Sequence, residues 1–273
     1  MVMRMLLYAL LGGAAAIYLS LCAFLYSTQR TQMYFPTAES HHADVPTLRV
    51  ESAGASLKIW ALGARASDPA ADALIYFGGN GEDVAGNIAE FSLAFADRAV
   101  YLVNYRGYGG SSGSPTEQGL FADSEAVFDL VRARHPDAAI AVMGRSLGSG
   151  VAIHLAAARA VERLVLVTPF DSLINVAREH FPWFPMALLM RDRYESIEQV
   201  RSGRVRTATF IVIAQDDEVV PAARGEALAA AFPAGQARVL RINGATHNSI
   251  GLFPQYLQSV TAFLSQRASP TPG

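Results

Sequence analysis

Ala138–Ala158 reads AAIAVMGRSLGSGVAIHLAAA. Ile140, Val142 and Met143 predict a short apolar strand, Gly144-Arg145-Ser146-Leu147-Gly148 a turn, and the alanine-rich remainder a helix. Gly-x-Ser-x-Gly between strand and helix is the spacing of a nucleophile elbow. Its serine sits on a tight, strained bend, so the residues two before and two after it must lack side chains that would strike strand or helix. Gly144 and Gly148 meet that demand. The first N–H groups and the positive dipole end of the helix face the place where negative charge would develop on a substrate oxygen. Ser146 is therefore the candidate nucleophile. With Gly and Ser each at about 7% of residues, the bare pattern arises by chance in roughly one chain in ten of this length, so its surroundings decide the reading.

The chain has 273 residues, 51% of them hydrophobic and 17% charged, which predicts one large α/β domain and excludes a disordered chain. A formal charge of −2 without a Lys/Arg cluster gives no footprint for nucleic acid. Cys22 is the only cysteine, so a disulfide framework, a cysteine metal site and a cysteine nucleophile in the soluble part are excluded. No His/carboxylate spacing suggests a metal. No cofactor is expected.

Met5 to Tyr26 is an uncharged run of apolar and small residues, long enough to cross a hydrocarbon core of about 30 Å as a helix. Its end, Leu-Cys-Ala-Phe-Leu-Tyr, has no small-x-small cleavage site, so the segment reads as an uncleaved signal-anchor rather than a removed signal peptide. Arg4 and the amino terminus on one flank outweigh Arg30 on the other. The front end is thus expected in the cytoplasm and the remaining domain outside, on the periplasmic side of the inner membrane in a bacterium. Residues 1–31 form this anchor with a short polar connector (Ser27 to Gln32), 32–267 the domain, and 268–273 a disordered tail.

Thr47 to Ala53 and Ala55 to Ala61 alternate around Ala-Gly, predicting a hairpin at a sheet edge. Six short apolar runs follow: Ala73 to Phe77, Ala99 to Tyr105, Ala139 to Met143, Leu164 to Thr168, Phe210 to Ala214 and Val239 to Ile242. Between them lie helical patterns near Val84 to Phe95, Ala122 to Arg134, Leu147 to Arg159, Ala222 to Ala231 and Phe253 to Ser265. Continuous apolar strands between helices predict a mostly parallel eight-stranded sheet covered on both faces, with ligands bound beyond the carboxyl ends of the strands.

A serine hydroxyl needs a base, and the base needs a carboxylate to fix its tautomer and stabilise its charged form. The elbow topology expects the order serine, acid, histidine. After the strand ending at Ala214 comes Gln215-Asp216-Asp217-Glu218, and after the strand ending at Ile242 comes Gly244-Ala245-Thr246-His247. His247 is the only histidine downstream of those acids and is the candidate base. Asp217 is the candidate acid, while Asp216 and Glu218 could serve the N-terminus of the helix after Pro221. His154 falls within the elbow helix, His135 ends a helix, His41 and His42 lie in the connector, and His180 is expected to pack, with lining a pocket as its alternative. Oxyanion donors are expected from the backbone N–H of Leu147 and from Phe77-Gly78-Gly79-Asn80-Gly81, with Asn80 first and Gly79 second. No P-loop lysine or complete dinucleotide fingerprint follows that glycine cluster.

Phe77 to Gly81, Asn104-Tyr105-Arg106-Gly107-Tyr108-Gly109, Gly144 to Gly148, Asp217 to Pro221 and His247 together resemble the α/β-hydrolase family. They are most similar to its membrane-anchored branch of small serine hydrolases, which has palmitoyl-thioesterases as relatives. The resemblance spans roughly residues 32–266. It departs at Gly78, where that branch has His before Gly, and in lacking the Cys-rich front end of the thioesterase relatives. It implies the α/β-hydrolase fold, a structural turn at Arg106 with substrate binding by that arginine as the alternative, and a cap over the nucleophile formed by the insertion 171–206. The apolar Phe181-Pro182-Trp183-Phe184-Pro185-Met186 in that insertion fits a pocket for an acyl group, packing on the domain, or dipping into the bilayer. The expected partners are a small-molecule or lipid-like acyl substrate and the membrane. Carboxylic ester hydrolysis leads, with thioester or amide cleavage, acyl transfer, peptidase action and a non-catalytic tethered module as alternatives.

Overall fold

The computed structural model describes residues 1–266. The disordered tail expected at 268–273 lies outside the described residues. Helix α1 (Val2–Met33) leads the chain and is long and apolar enough to cross a membrane. The expected polar connector is not a separate linker: Ser27 to Gln32 are the last turns of α1, and the boundary expected at 31/32 falls inside it. Hydroxyls of Ser27 and Thr28 donate back to the Ala23 and Phe24 carbonyls, as Ser and Thr do in helices, so polar composition did not end this one.

The hairpin β1 (Thr47–Ser52) and β2 (Ala55–Leu62) follows. Then come β3 (Ala73–Phe77), a 3-10 turn over Val84–Asn87, α2 (Ile88–Ala94), β4 (Ala99–Val103) and α3 (Glu117–Arg134). Next are β5 (Ile140–Arg145), α4 (Leu147–Ala158) and β6 (Arg163–Val167). The insertion carries α5 (Leu173–His180), α6 (Met186–Leu189) and α7 (Ser196–Arg201). The chain closes with β7 (Ala208–Ala214), α8 (Ala222–Ala231), β8 (Ala237–Ile242) and α9 (Pro254–Ser265).

The eight strands form one sheet in the order β1-β2-β4-β3-β5-β6-β7-β8. β2 runs antiparallel to β1 and β4, and every other pairing is parallel. Alternation along β3 divides the core: Ala73, Ile75 and Phe77 face a cluster with α3, α4 and α8, while Leu74 and Tyr76 face one with α2 and α9. The parallel strands read as unbroken apolar runs because both faces are covered.

Several boundaries differ from the expected ones by one or more residues. The stretch near Val84 to Phe95 begins as a 3-10 turn. The strand from Ala99 ends at Val103, short of Tyr105. α3 starts at Glu117 rather than Ala122, capped by the Thr116 side chain accepting from Gly119 N–H. Gly119 weakens the helical pattern there, and its missing side chain makes room for the Arg106 guanidinium: a Cβ would stand 2.7 Å from Arg106 Nε.

Candidate active site

The carboxyl ends of β5, β7 and β8 bring three side chains together. Ser146 closes β5 with φ 51°, ψ −116°, a conformation that a residue with a side chain rarely adopts. The bend is tight enough that a Cβ on Gly144 would strike the Gly148 carbonyl, and one on Gly148 the Phe77 carbonyl. His247 follows β8, and its Nε2 lies 3.0 Å from Ser146 Oγ. Its Nδ1 lies 2.7 Å from Asp217 Oδ2 in the turn after β7. Asp217 and His247 are both buried. Asp217 Oδ1 accepts the N–H groups of Val219 and Val220 at 2.9 and 2.7 Å, so the carboxylate is held at both oxygens.

Asp216 and Glu218 are exposed. Neither caps α8, which begins at Ala222 after Pro221 and has no side-chain cap. Glu218 Oε2 instead lies 3.4 Å from the His247 backbone N–H.

The two glycine-loop N–H groups are not equivalent. Gly79 N–H donates to Glu82 Oε2 at 2.6 Å, which commits it and corrects the expectation that it could serve as second oxyanion donor. The N–H groups of Asn80 and Leu147 donate to no acceptor among the described residues. The Asn80 side chain is pinned: its Oδ1 accepts from Phe35 N–H and Tyr108 O–H, and its Nδ2 donates to the Met33 carbonyl. A Cβ at Gly79 would lie 3.7 Å from Ser146 Cβ, so this loop borders the serine directly.

Behind the serine sits a charged cluster that the sequence reading missed. Arg145 donates to Glu82 Oε2 at 3.0 Å, to the His247 carbonyl at 3.0 Å and to Asn248 Oδ1 at 3.1 Å. Glu82 Oε1 accepts from Tyr76 O–H and Asn87 Nδ2, both at 2.7 Å. Burial, reinforced by the Glu82 charge, pushes the Tyr76 hydroxyl well above its ordinary pKa and keeps it a donor. Position 145 is the first variable residue of the elbow and Glu82 lies three residues past Gly79; no spacing rule marks either.

The remaining histidines lie elsewhere. His135 is buried against Tyr101, His154 stacks on Phe121, and His42 meets Trp60 edge-on. His180 is exposed rather than packed, with Nε2 3.0 Å from the Val219 carbonyl in the Asp217 turn. Arg106 is locked in two hydrogen bonds to Asp123, both side chains buried, so it serves the fold as expected of a structural turn.

This fold has counterparts. A family model described as alpha/beta hydrolase fold matches residues 72–195. An uncharacterized protein of Mycobacterium tuberculosis is 35% identical over 258 residues, covering 90% of each chain. Human alpha/beta hydrolase domain-containing protein 17B is 31% identical over 210 residues, covering 74% of this chain and 69% of its own. Among solved structures, an esterase of Pyrococcus furiosus superposes with a TM-score of 0.69 at 16% identity, covering 85% of this chain and 98% of its own. A hydrolase from Pseudomonas aeruginosa gives a TM-score of 0.62 at 24% identity, with 83% and 100% covered. The chain belongs to the alpha/beta-hydrolase family.

Proposed function

We propose that this protein is a membrane-anchored serine hydrolase that cleaves carboxylic esters through an acyl-enzyme. One observation carries the reading: the unbroken hydrogen-bond chain from Ser146 Oγ through the His247 ring to Asp217, built from three separate strand ends. Asp217 fixes the Nδ1–H tautomer, leaving Nε2 free to take the Ser146 proton as Oγ attacks the carbonyl carbon. The developing oxyanion is met by the N–H groups of Leu147 and Asn80, which have no competing acceptor among the described residues. His247 returns the proton to the leaving oxygen, which departs and leaves the acyl group on Ser146. Water, deprotonated by the same histidine, then releases the acid. Thioesters and amides meet the same machinery.

We also read α1 as a bilayer span with its Arg4 flank in the cytoplasm and the hydrolase domain on the other side, periplasmic in a bacterium. Protease added to intact spheroplasts should then cut the domain; full protection would contradict this orientation. The hydrolase reading is tested by labelling detergent-solubilised protein with a fluorophosphonate. Wild type should label, while Ser146→Ala and His247→Ala should not; labelling that persists in Ser146→Ala would sink the assignment.

A further inference from the structure

We propose that the acyl chain of the substrate lies in a groove between α1 and the insertion, one wall being the anchor helix itself, and that the chain enters this groove from the bilayer. The inference rests on the readings of Ser146 as the acyl-accepting serine and of α1 as a bilayer span.

A cavity of about 220 Å³ runs between Leu25, Gln29 and Met33 of α1 and Val176, Met186 and Phe181 of the insertion, and Asn80 also borders it. Asn80 relates the cavity to the reaction centre: it borders the cavity, and its neighbour Gly79 borders Ser146. An ester whose carbonyl oxygen sits at the Asn80 N–H would thus have this cavity beside it to receive its acyl chain.

The α1 wall is fastened in place. Arg30 makes two hydrogen bonds to the buried Asp192, at 2.9 and 3.0 Å. Gln29 donates to the Leu189 carbonyl and accepts from Arg191 N–H. Tyr34 O–H bonds Tyr194 at 2.9 Å. A helix serving only as a tether needs no such contacts with residues some 160 positions away.

The tip of the insertion reaches the apolar stretch of α1. Tyr18, well inside the apolar run, donates to the Trp183 carbonyl at 3.0 Å and stacks on Phe184. That contact carries the tip of the insertion to the level of residue 18, inside the stretch that would be lipid-embedded. Trp183 and Leu188 are 85% and 80% exposed there, large apolar side chains suited to the acyl and headgroup boundary. An acyl chain sliding from lipid into this groove never crosses water, and it exchanges one apolar surrounding for another.

The test uses the full chain in phospholipid nanodiscs and an alkyl fluorophosphonate bearing a mid-chain diazirine. Ser146 Oγ attacks phosphorus, fluoride leaves, and the serine proton passes to His247. Irradiation should then crosslink the chain to α1 between Leu25 and Met33 and to α5 or α6. Labelled Ser146 with crosslinks confined to phospholipid or to residues outside α1 overturns this inference alone. Absence of Ser146 labelling overturns the hydrolase reading and this inference with it. As a second measurement, Leu25→Trp should lower the ratio of hexadecyl to ethyl fluorophosphonate labelling rates at least about tenfold; an unchanged ratio contradicts the α1 wall.

Discussion

Glu82 Oε2 accepts Arg145 Nη1 at 3.0 Å while holding the Gly79 N–H at 2.6 Å. One carboxylate thus ties the glycine loop to the residue beside Ser146, and Arg145 extends the tie to the His247 carbonyl. Both side chains are largely buried, at 19% and 13% exposure, so the pair acts where solvent screens it little.

Glu82→Gln keeps the shape of this hub and removes its charge. With hydrogen bonds to a charged group worth about 1.5–3 kcal/mol, ester turnover should fall about tenfold to a hundredfold, mostly in kcat, with the fold retained by circular dichroism. Glu82→Ala, which strands Arg145 without its carboxylate, should also cost about 2–3 kcal/mol in denaturant melts. Turnover within twofold of wild type in Glu82→Gln would show that the hub does not position the loop.

The strain at Ser146 gives a stability test independent of substrate. Its positive φ suits glycine better than any residue with a side chain. Ser146→Gly and Ser146→Ala both lose the hydroxyl, yet the glycine variant should be the more stable by about 1 kcal/mol. Equal melting midpoints would mean that the bend stores no strain.

His135 predicts a pH dependence. It is fully buried with its Nε2 against the Tyr101 hydroxyl at 2.7 Å, and burial depresses its pKa. The unfolded chain, with a histidine pKa of about 6.5, then binds a proton that the folded chain refuses. This contribution is complete above about pH 6.5 and is lost as pH falls towards the depressed folded value. Urea melts between pH 8 and pH 5 should therefore lose stability more steeply in wild type than in His135→Gln. Parallel profiles would contradict a neutral buried His135.

The clamp on α1 is open to proteolysis. Asp192→Ala removes both acceptors of Arg30 and one of Tyr34. The Arg30 side chain is 42% exposed, so solvent screens its pair with Asp192 to on the order of 1 kcal/mol, and its loss should raise the rate of tryptic cleavage after Arg30 about fivefold. An unchanged rate would mean that these bonds do not hold the helix end.

What the sequence disclosed followed what local physics imposes. The core strands showed because burial on both faces demands unbroken apolar runs, and the elbow showed because its bend demands Gly144 and Gly148. Chain order and strand ends pointed to Ser146, Asp217 and His247, which lie within hydrogen-bond reach of one another in series. Hidden features depended on partners distant in the chain. Ser27 to Gln32 looked like a linker because their polar groups answer Leu189, Arg191 and Asp192, which periodicity cannot see. Gly79 and Asn80 are adjacent glycine-loop residues, and only the Glu82 carboxylate separates their roles. His180 looked apt to pack beside Phe181-Pro182-Trp183, but it faces solvent at the end of α5.

The central claim is that Ser146 carries the acyl group during turnover. Protein mixed with excess p-nitrophenyl ester, quenched in acid within the first turnovers and digested, should show the acyl mass on the peptide containing Ser146. A burst of nitrophenol matching the enzyme concentration should accompany it, and both should vanish in Ser146→Ala. Steady ester hydrolysis with no acyl mass on that peptide and no burst, or an acyl mass on any other residue, would contradict the account.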